Sequence, residues 1–278
     1  MSVEVGVELL TAGSCTHPEH VVLRNRRLRP LRFPALSALL HHPTRGPVLY
    51  DTGYGERFRE ATARLPERLY AWVTPVDLQP SDLVEHQLRT RGIHATDVEH
   101  LLISHFHADH IAAMGSFERA TYHFLEGAAR PIVDLGRFAA LRRGLLPALL
   151  PRDFARRSRA HRPSHPLPVL PEFGPLADLF GDGSVFGVPL PGHARGQMGL
   201  FLPRPRGRRR PLLLVADAVW TRAAADVRPH PITRLLFDDM RQYEATRQRV
   251  RASFDATLDV VPSHCSDSIA TFQRGETA

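Results

Sequence analysis

Val3, Val5, Val7 and Leu9 alternate with Glu4, Gly6 and Glu8, the period-two pattern of a half-buried strand that closes at Ala12-Gly13. Apolar segments at 33–40 and 47–50 follow, the second ending at Asp51-Thr52-Gly53. Three strands parted by turn residues predict an antiparallel start to a sheet. The spacing predicts a helix over 56–65. A second helix, capped by Ser81 and ending near Gly92, would bury Leu83, Val84 and Leu88 on one face. Apolar runs at 98–104 and 120–124 read as buried strands. From 127 to 181 the pattern changes: an Arg-rich helix over 134–146 would present Leu135, Phe138, Leu141, Leu145 and Leu146 on one face, and a Pro- and Arg-rich connection fills 151–175. Strands resume at 184–190, 198–202 and 212–216, then a helix at 238–254 and a strand at 258–261. No repeat of solenoid length is visible. The pattern is that of a layered α/β body, one domain over 1–278, with a cap inserted at about 127–181.

Composition narrows the chemistry. Of 278 residues 43% are apolar and 23% charged, enough for a full core. All 36 basic side chains are arginine, which excludes a lysine Schiff base, a phosphate-loop lysine and a lysine general base. Complete absence of lysine fits a GC-rich coding bias better than a basic binding face, so the net charge of +7 permits a nucleic-acid partner without calling for one. Cys15 and Cys265 alone make neither a disulfide framework nor a thiolate zinc site. The N-terminal residues lack the basic-then-apolar pattern of a signal peptide, and no apolar run approaches the roughly 20 residues that span a bilayer. A cytoplasmic protein with no membrane partner is expected. The 16 histidines are the one excess that can mean chemistry, and their placement decides it.

His105-Phe106-His107-Ala108-Asp109-His110 directly follows the apolar run at 98–104. At a strand end, residues two apart point to one side, so His105 and His107 can converge on one ion. A turn into a helix would aim Asp109 and His110 at a second ion beside it. Imidazole and carboxylate without thiolate suit Zn²⁺, Mn²⁺ or Fe²⁺. A lone histidine is ordinarily a core or surface residue; this density of ligand types behind a strand is not explained that way.

The pattern His-x-His-x-Asp-His resembles the signature of the metallo-β-lactamase superfamily, and further motifs follow in that family's order. Pro191-Gly192-His193 resembles its Pro-Gly-His turn, Ala216-Asp217-Ala218 the segment bearing its bridging carboxylate, and Pro262-Ser263-His264 the segment of its last histidine. Asp51-Thr52-Gly53 matches its early structural Asp-x-Gly turn. The resemblance implies a four-layer αββα sandwich and two divalent ions, zinc first. It assigns His105, His107 and His193 to one ion, Asp109, His110 and His264 to the other, and Asp217 to both. It further implies attack by a metal-bound hydroxide on a small carbonyl or phosphorus substrate, with Asp109 handling the proton.

Within the family, β-lactamases fit poorly: several place a cysteine where Asp217 stands, and they are exported. Only 265–278 follow His264, so the helical domain of glyoxalase II-type thioesterases is not expected. The local match is nearest to the N-acyl-homoserine lactonase-like branch, whose Tyr three positions after the bridging Asp contacts the substrate carbonyl. Here that position is Trp220, whose indole can donate a hydrogen bond but cannot serve as an acid. Lactone, ester or thioester cleavage of a small molecule is the expectation, with Asp109, Asp217 and Trp220 as the catalytic residues. The cap at 127–181 is the expected seat of specificity, and Arg195 is a candidate partner for a substrate anion. Arg204 to Arg210 should form a protruding hairpin able to meet phosphates, which keeps a phosphodiesterase or nuclease as the alternative, beside a non-catalytic metal-binding module. Without interleaved aromatics to stack bases, nucleic acid is not the expected partner. A homodimer is the one assembly entertained.

Overall fold

The computed structural model describes residues 3–23, 29–254 and 257–276. Its strands are β1 (Gly6–Pro18), β2 (Pro30–His42), β3 (Gly46–Tyr50), β4 (Val76–Asp77), β5 (His100–Leu102), β6 (Thr121–Leu125), β7 (Ser158–His161), β8 (His165–Pro166), β9 (Pro175–Asp178), β10 (Phe186–Pro189), β11 (Met198–Leu202), β12 (Leu212–Leu214) and β13 (Asp259–Val261). They form a seven-stranded sheet in the order β4-β1-β2-β3-β5-β6-β7 and a six-stranded sheet in the order β13-β12-β11-β10-β9-β8.

The expected antiparallel opening is present: β1 pairs with β2 and β2 with β3. From β3 the sheet continues in parallel through β5, β6 and β7, each crossover carrying helices. Alternation within β2 explains the layering. Leu36, Ala38 and Leu40 join Tyr50, Leu102, Leu200, Leu214 and Val261 between the two sheets. Ala35 and Leu39 face the other way, where Phe58, Val84, Leu88 and Ile111 cover the first sheet. Val250 on the Met240–Ser253 helix covers Phe201, Leu213 and Val260 of the second sheet. Both sheets are buried on two faces, which gives helix, sheet, sheet, helix. Truncating a buried leucine such as Leu102 or Leu214 to alanine would cost about 2–5 kcal/mol.

Several local expectations need correction. The first strand does not close at Ala12-Gly13; it runs to Pro18 through an irregularity between Thr11 and Ser14, where Gly13 takes a positive φ. Ser81 is not a cap. Gln79 and Asp82 cap a short turn at Pro80–Asp82, and the helix proper is Val84–Arg89. The helix expected over 56–65 stops at Ala61. The pattern at 134–146 is not one helix: Leu135 is extended between the Arg130–Asp134 and Arg137–Arg142 helices, and Gly144 turns the chain beyond the second. Its apolar face therefore dissolves. Phe138 is 73% exposed, whereas Leu145 and Leu146 are buried in the loop that follows. Nor does the arginine hairpin protrude freely. Pro205 bridges to Val5, and Arg208 lies over the Phe272 ring at 3.6 Å while donating to the Phe272 carbonyl. Among the described residues no helix is long and apolar enough to cross a membrane.

Candidate metal centre

The chain leaves β5 at Leu102, three residues before the first histidine of the motif, so strand alternation is not what aligns His105 with His107. His107 is the residue before the Ala108–Ile111 helix, and that tight turn places Asp109 and His110 in the helix itself. The two imidazoles meet through different nitrogens: His105 Nε2 lies 3.0 Å from His107 Nδ1, and His193 Nε2 lies 2.9 Å from the same Nδ1. His193 arrives from the turn between β10 and β11. Gly192 there has φ +127°, and a Cβ at that position would come within 2.0 Å of the Tyr243 backbone nitrogen, so only glycine permits the approach.

Asp217 and His264 emerge from the ends of β12 and β13, which are parallel neighbours, so both point to the same edge of the second sheet. The Asp217 carboxylate sits among three imidazoles. Its Oδ1 is 3.3 Å from His110 Nε2 and 3.2 Å from His264 Nε2; its Oδ2 is 3.3 Å from His193 Nε2. Asp109 Oδ2 closes the group at 3.5 Å from His264 Nε2 and 3.7 Å from His110 Nε2. The ligand atoms of His105, His107 and His193 lie within 4.8 Å of one another, as do those of Asp109, His110 and His264, and those of His105, His110 and Asp217.

Surrounding groups fix which nitrogen faces inward. His264 Nδ1 donates to the Pro34 carbonyl at 2.7 Å, and His110 Nδ1 donates to Asp51 Oδ2 at 2.7 Å, so both rings turn Nε2 to the centre. Asp51, at a positive φ of 53°, also accepts the Ser104 N–H at 2.7 Å. The Ser104 hydroxyl lies 3.0 Å from His105 Nδ1, and the Arg143 carbonyl bonds the His107 ring.

The charges are lopsided in a telling way. Burial, reinforced by neighbouring imidazoles, pushes His105 and His193 well below the ordinary histidine range, and burial lowers His107. Burial would depress His110 and His264 as well, but Asp217 and Asp109 outweigh it and raise both, with Asp51 adding to His110. Burial would raise Asp217, yet His264, His110 and His193 hold it well below the carboxylate range. His110 Nε2 and Asp217 Oδ1 are buried without a hydrogen-bond partner, an arrangement that costs free energy unless a cation occupies the space between them. The imidazole and carboxylate donors fit a borderline divalent ion such as zinc.

Every histidine and aspartate singled out from the sequence thus converges. Trp220 stands at the edge, its ring 6.1 Å from that of His193 and 6.4 Å from that of His264, with Phe237 packed against both Trp220 and His193. Its indole N–H is buried and without a partner. Pro34, Ser104, Arg143 and Phe237 were not legible as site residues. Ser104 adjoins the motif, which is a signal of sorts; the others act through carbonyls or ring faces brought in by the fold.

The chain matches the metallo-beta-lactamase superfamily over residues 31–264, and it belongs to that family. A probable metallo-hydrolase of Mycobacterium bovis is 28% identical over 66% of this chain and 56% of that protein, so the match spans little more than half the relative's length. An N-acyl homoserine lactonase, AttM, of Rhizobium radiobacter is 27% identical over 68% of this chain and 66% of its own. Among solved structures, an N-acyl homoserine lactone hydrolase with N-hexanoyl-L-homoserine at its catalytic metal centre superposes with a TM-score of 0.70 at 17% identity, covering 98% of this chain and 97% of that one. AidC, a dizinc quorum-quenching lactonase, gives a TM-score of 0.65 at 16% identity over 96% and 90%. The protein shares the fold of these lactonases and is related to metallo-hydrolases.

Proposed function

We propose that the chain is a dinuclear metal-dependent hydrolase, with zinc as the native ion, that cleaves a small lactone, ester or thioester. The carrying observation is the Asp217 carboxylate, which lies against His193 of one imidazole set and against His110 and His264 of the other. His105, His107 and His193 would hold one ion, Asp109, His110 and His264 the second, and Asp217 both. Two such ions supply Lewis acidity and an acidified water. The residues do the rest. Asp109, partly open to solvent, takes up the proton freed when water attacks and returns it to the leaving oxygen or sulfur. The unpaired Trp220 N–H donates to the substrate carbonyl oxygen as charge develops there. The docked Arg208 leaves the loop at 204–210 poorly placed to grip a phosphodiester backbone.

Metal analysis of purified protein should find about two ions per chain. A panel of a lactone, an aryl ester, an acyl thioester and a nitrophenyl phosphodiester should show turnover of carbonyl substrates first; metal-free protein, or preference for the phosphodiester, would refute the reading. Trp220→Phe keeps the ring but removes the donor and should lower kcat about tenfold or more.

A further inference from the structure

Beside His107 and His193 lies a small, open-mouthed cleft lined by Phe106, Leu145 and Leu236 and by Arg143 and Arg195. Building on the hydrolase reading, we infer that this cleft selects substrates whose acyl part ends in a carboxylate, with Arg195 and Arg143 as the specificity-determining residues.

Arg195 is exposed and has no ion-pair or hydrogen-bond partner among the described residues. Its position is nonetheless built. The next residue, Gly196, has φ +63°, and a Cβ there would come within 2.7 Å of the Ala128 backbone nitrogen, so the loop from His193 to Gln197 is seated against the chain at 127–128. Only Ala194 separates Arg195 from His193, whose imidazole faces the reacting centre.

Arg143 is tied to the same centre from the other side. Its carbonyl bonds the His107 ring. One of its guanidinium nitrogens donates to Asp238 Oδ1 at 2.8 Å, and the Asp238 N–H donates to the His193 carbonyl at 3.1 Å. That ion pair occupies one edge of the guanidinium; no other nitrogen of the group has a partner among the described residues. Two cations against one carboxylate leave the cleft net positive beside an apolar wall. A planar guanidinium presents a pair of donors that matches a carboxylate. The apolar lining and the charge at the cleft's open mouth therefore ask for an apolar spacer that begins at the scissile carbonyl and ends in an anion.

The test uses two esters of equal chain length, 4-nitrophenyl hexanoate and mono-4-nitrophenyl adipate, with the metal-loaded protein. The adipate ester should show the higher kcat/KM, by about tenfold and mostly through KM, as a charge-assisted contact provides. Raising the salt concentration should shrink that ratio. Arg195→Gln combined with Arg143→Gln should bring it near one, whereas Arg209→Gln, on the loop at 204–210, should leave it intact. Free adipate should likewise raise Tm more than hexanoate in wild type and not in the double variant. Equal handling of both esters by wild type, or a preference that survives in the double variant, overturns the inference. Failure to turn over either ester, any lactone or any acyl thioester overturns the hydrolase reading instead, and the adipate-against-hexanoate shift in Tm still decides whether the arginines bind an anion.

Discussion

Two groups of buried and half-buried histidines stand out among the described residues, and they are built on opposite plans. At the ends of β5, β10, β12 and β13, imidazoles converge on shared points and alternate with carboxylates. At the start of β5, the middle of β6 and the end of β7, His100, His123 and His161 form a row in which each ring spends its nitrogens on the next. His100 Nδ1 lies 3.0 Å from His123 Nε2, and His123 Nδ1 lies 2.9 Å from His161 Nε2. Phe180 packs against His100 and His123, and among the described residues no carboxylate is hydrogen-bonded to the row, Glu99 and Asp178 acting on its ends only through their charge. Burial, with His161, His100, Arg159 and Arg45 nearby, lowers His123 to about 3; burial lowers His100 and His161 too. The first group is arranged to hold positive charge and the second to refuse it. An excess of histidine is therefore uninformative until one asks whether free nitrogens meet and what lies between them.

The sharpest break between the groups comes from Asp217→Ala. Removing the carboxylate that three imidazoles face should cut the metal content and lower kcat/KM by about 10³-fold or more, while His123→Phe should leave both unchanged. Metal loss in the His123 variant would show that the row takes part in binding. Asp51→Asn is next in size. The neutral amide no longer polarises the His110 ring, and metal affinity or activity should fall about 10–100-fold, measured by chelator competition. Equal affinity would reduce Asp51 to a turn residue.

The smallest effect is on stability. In the unfolded chain histidine titrates near 6.5, whereas folded His123 stays neutral to about 3. Below pH 6.5 the unfolded state binds more protons, so stability present at neutral pH drains as the pH falls from about 6.5 toward 3. Between pH 7 and 4.5 the Tm of wild type should drop by roughly 3–5 °C more than that of His123→Phe. Parallel profiles would show that the row contributes nothing to the acid response.

The chemistry was more legible than the scaffold that aims it. Histidine and aspartate ligands fall at strand ends, where short apolar runs stop and the chain must turn, so both the motifs and their order survive in one dimension. Asp51-Thr52-Gly53 could be seen as a turn, but not that its carboxylate supports His110, because that contact joins residues 59 apart in sequence. The Pro34 carbonyl under His264 is farther still, at a separation of 230. Helix boundaries failed where glycine or a capping side chain outvoted periodicity, as at Leu135 and Gln79. Arg195 was visible as a lone residue; its cleft needed Arg143 and Asp238, which nothing local connects.

The parallel pairing of β12 with β13 has a consequence for assembly. His105, His107, Asp109 and His110 belong to one sheet, and His193, Asp217 and His264 to the other, the last of them only twelve residues before the end of the described chain. No subset from a single sheet completes either ligand group, so the site comes into being only when the sheets dock. Any free energy released by an ion bound there is cohesion between the two halves of the sandwich, and the cation acts as a rivet set after the plates are aligned.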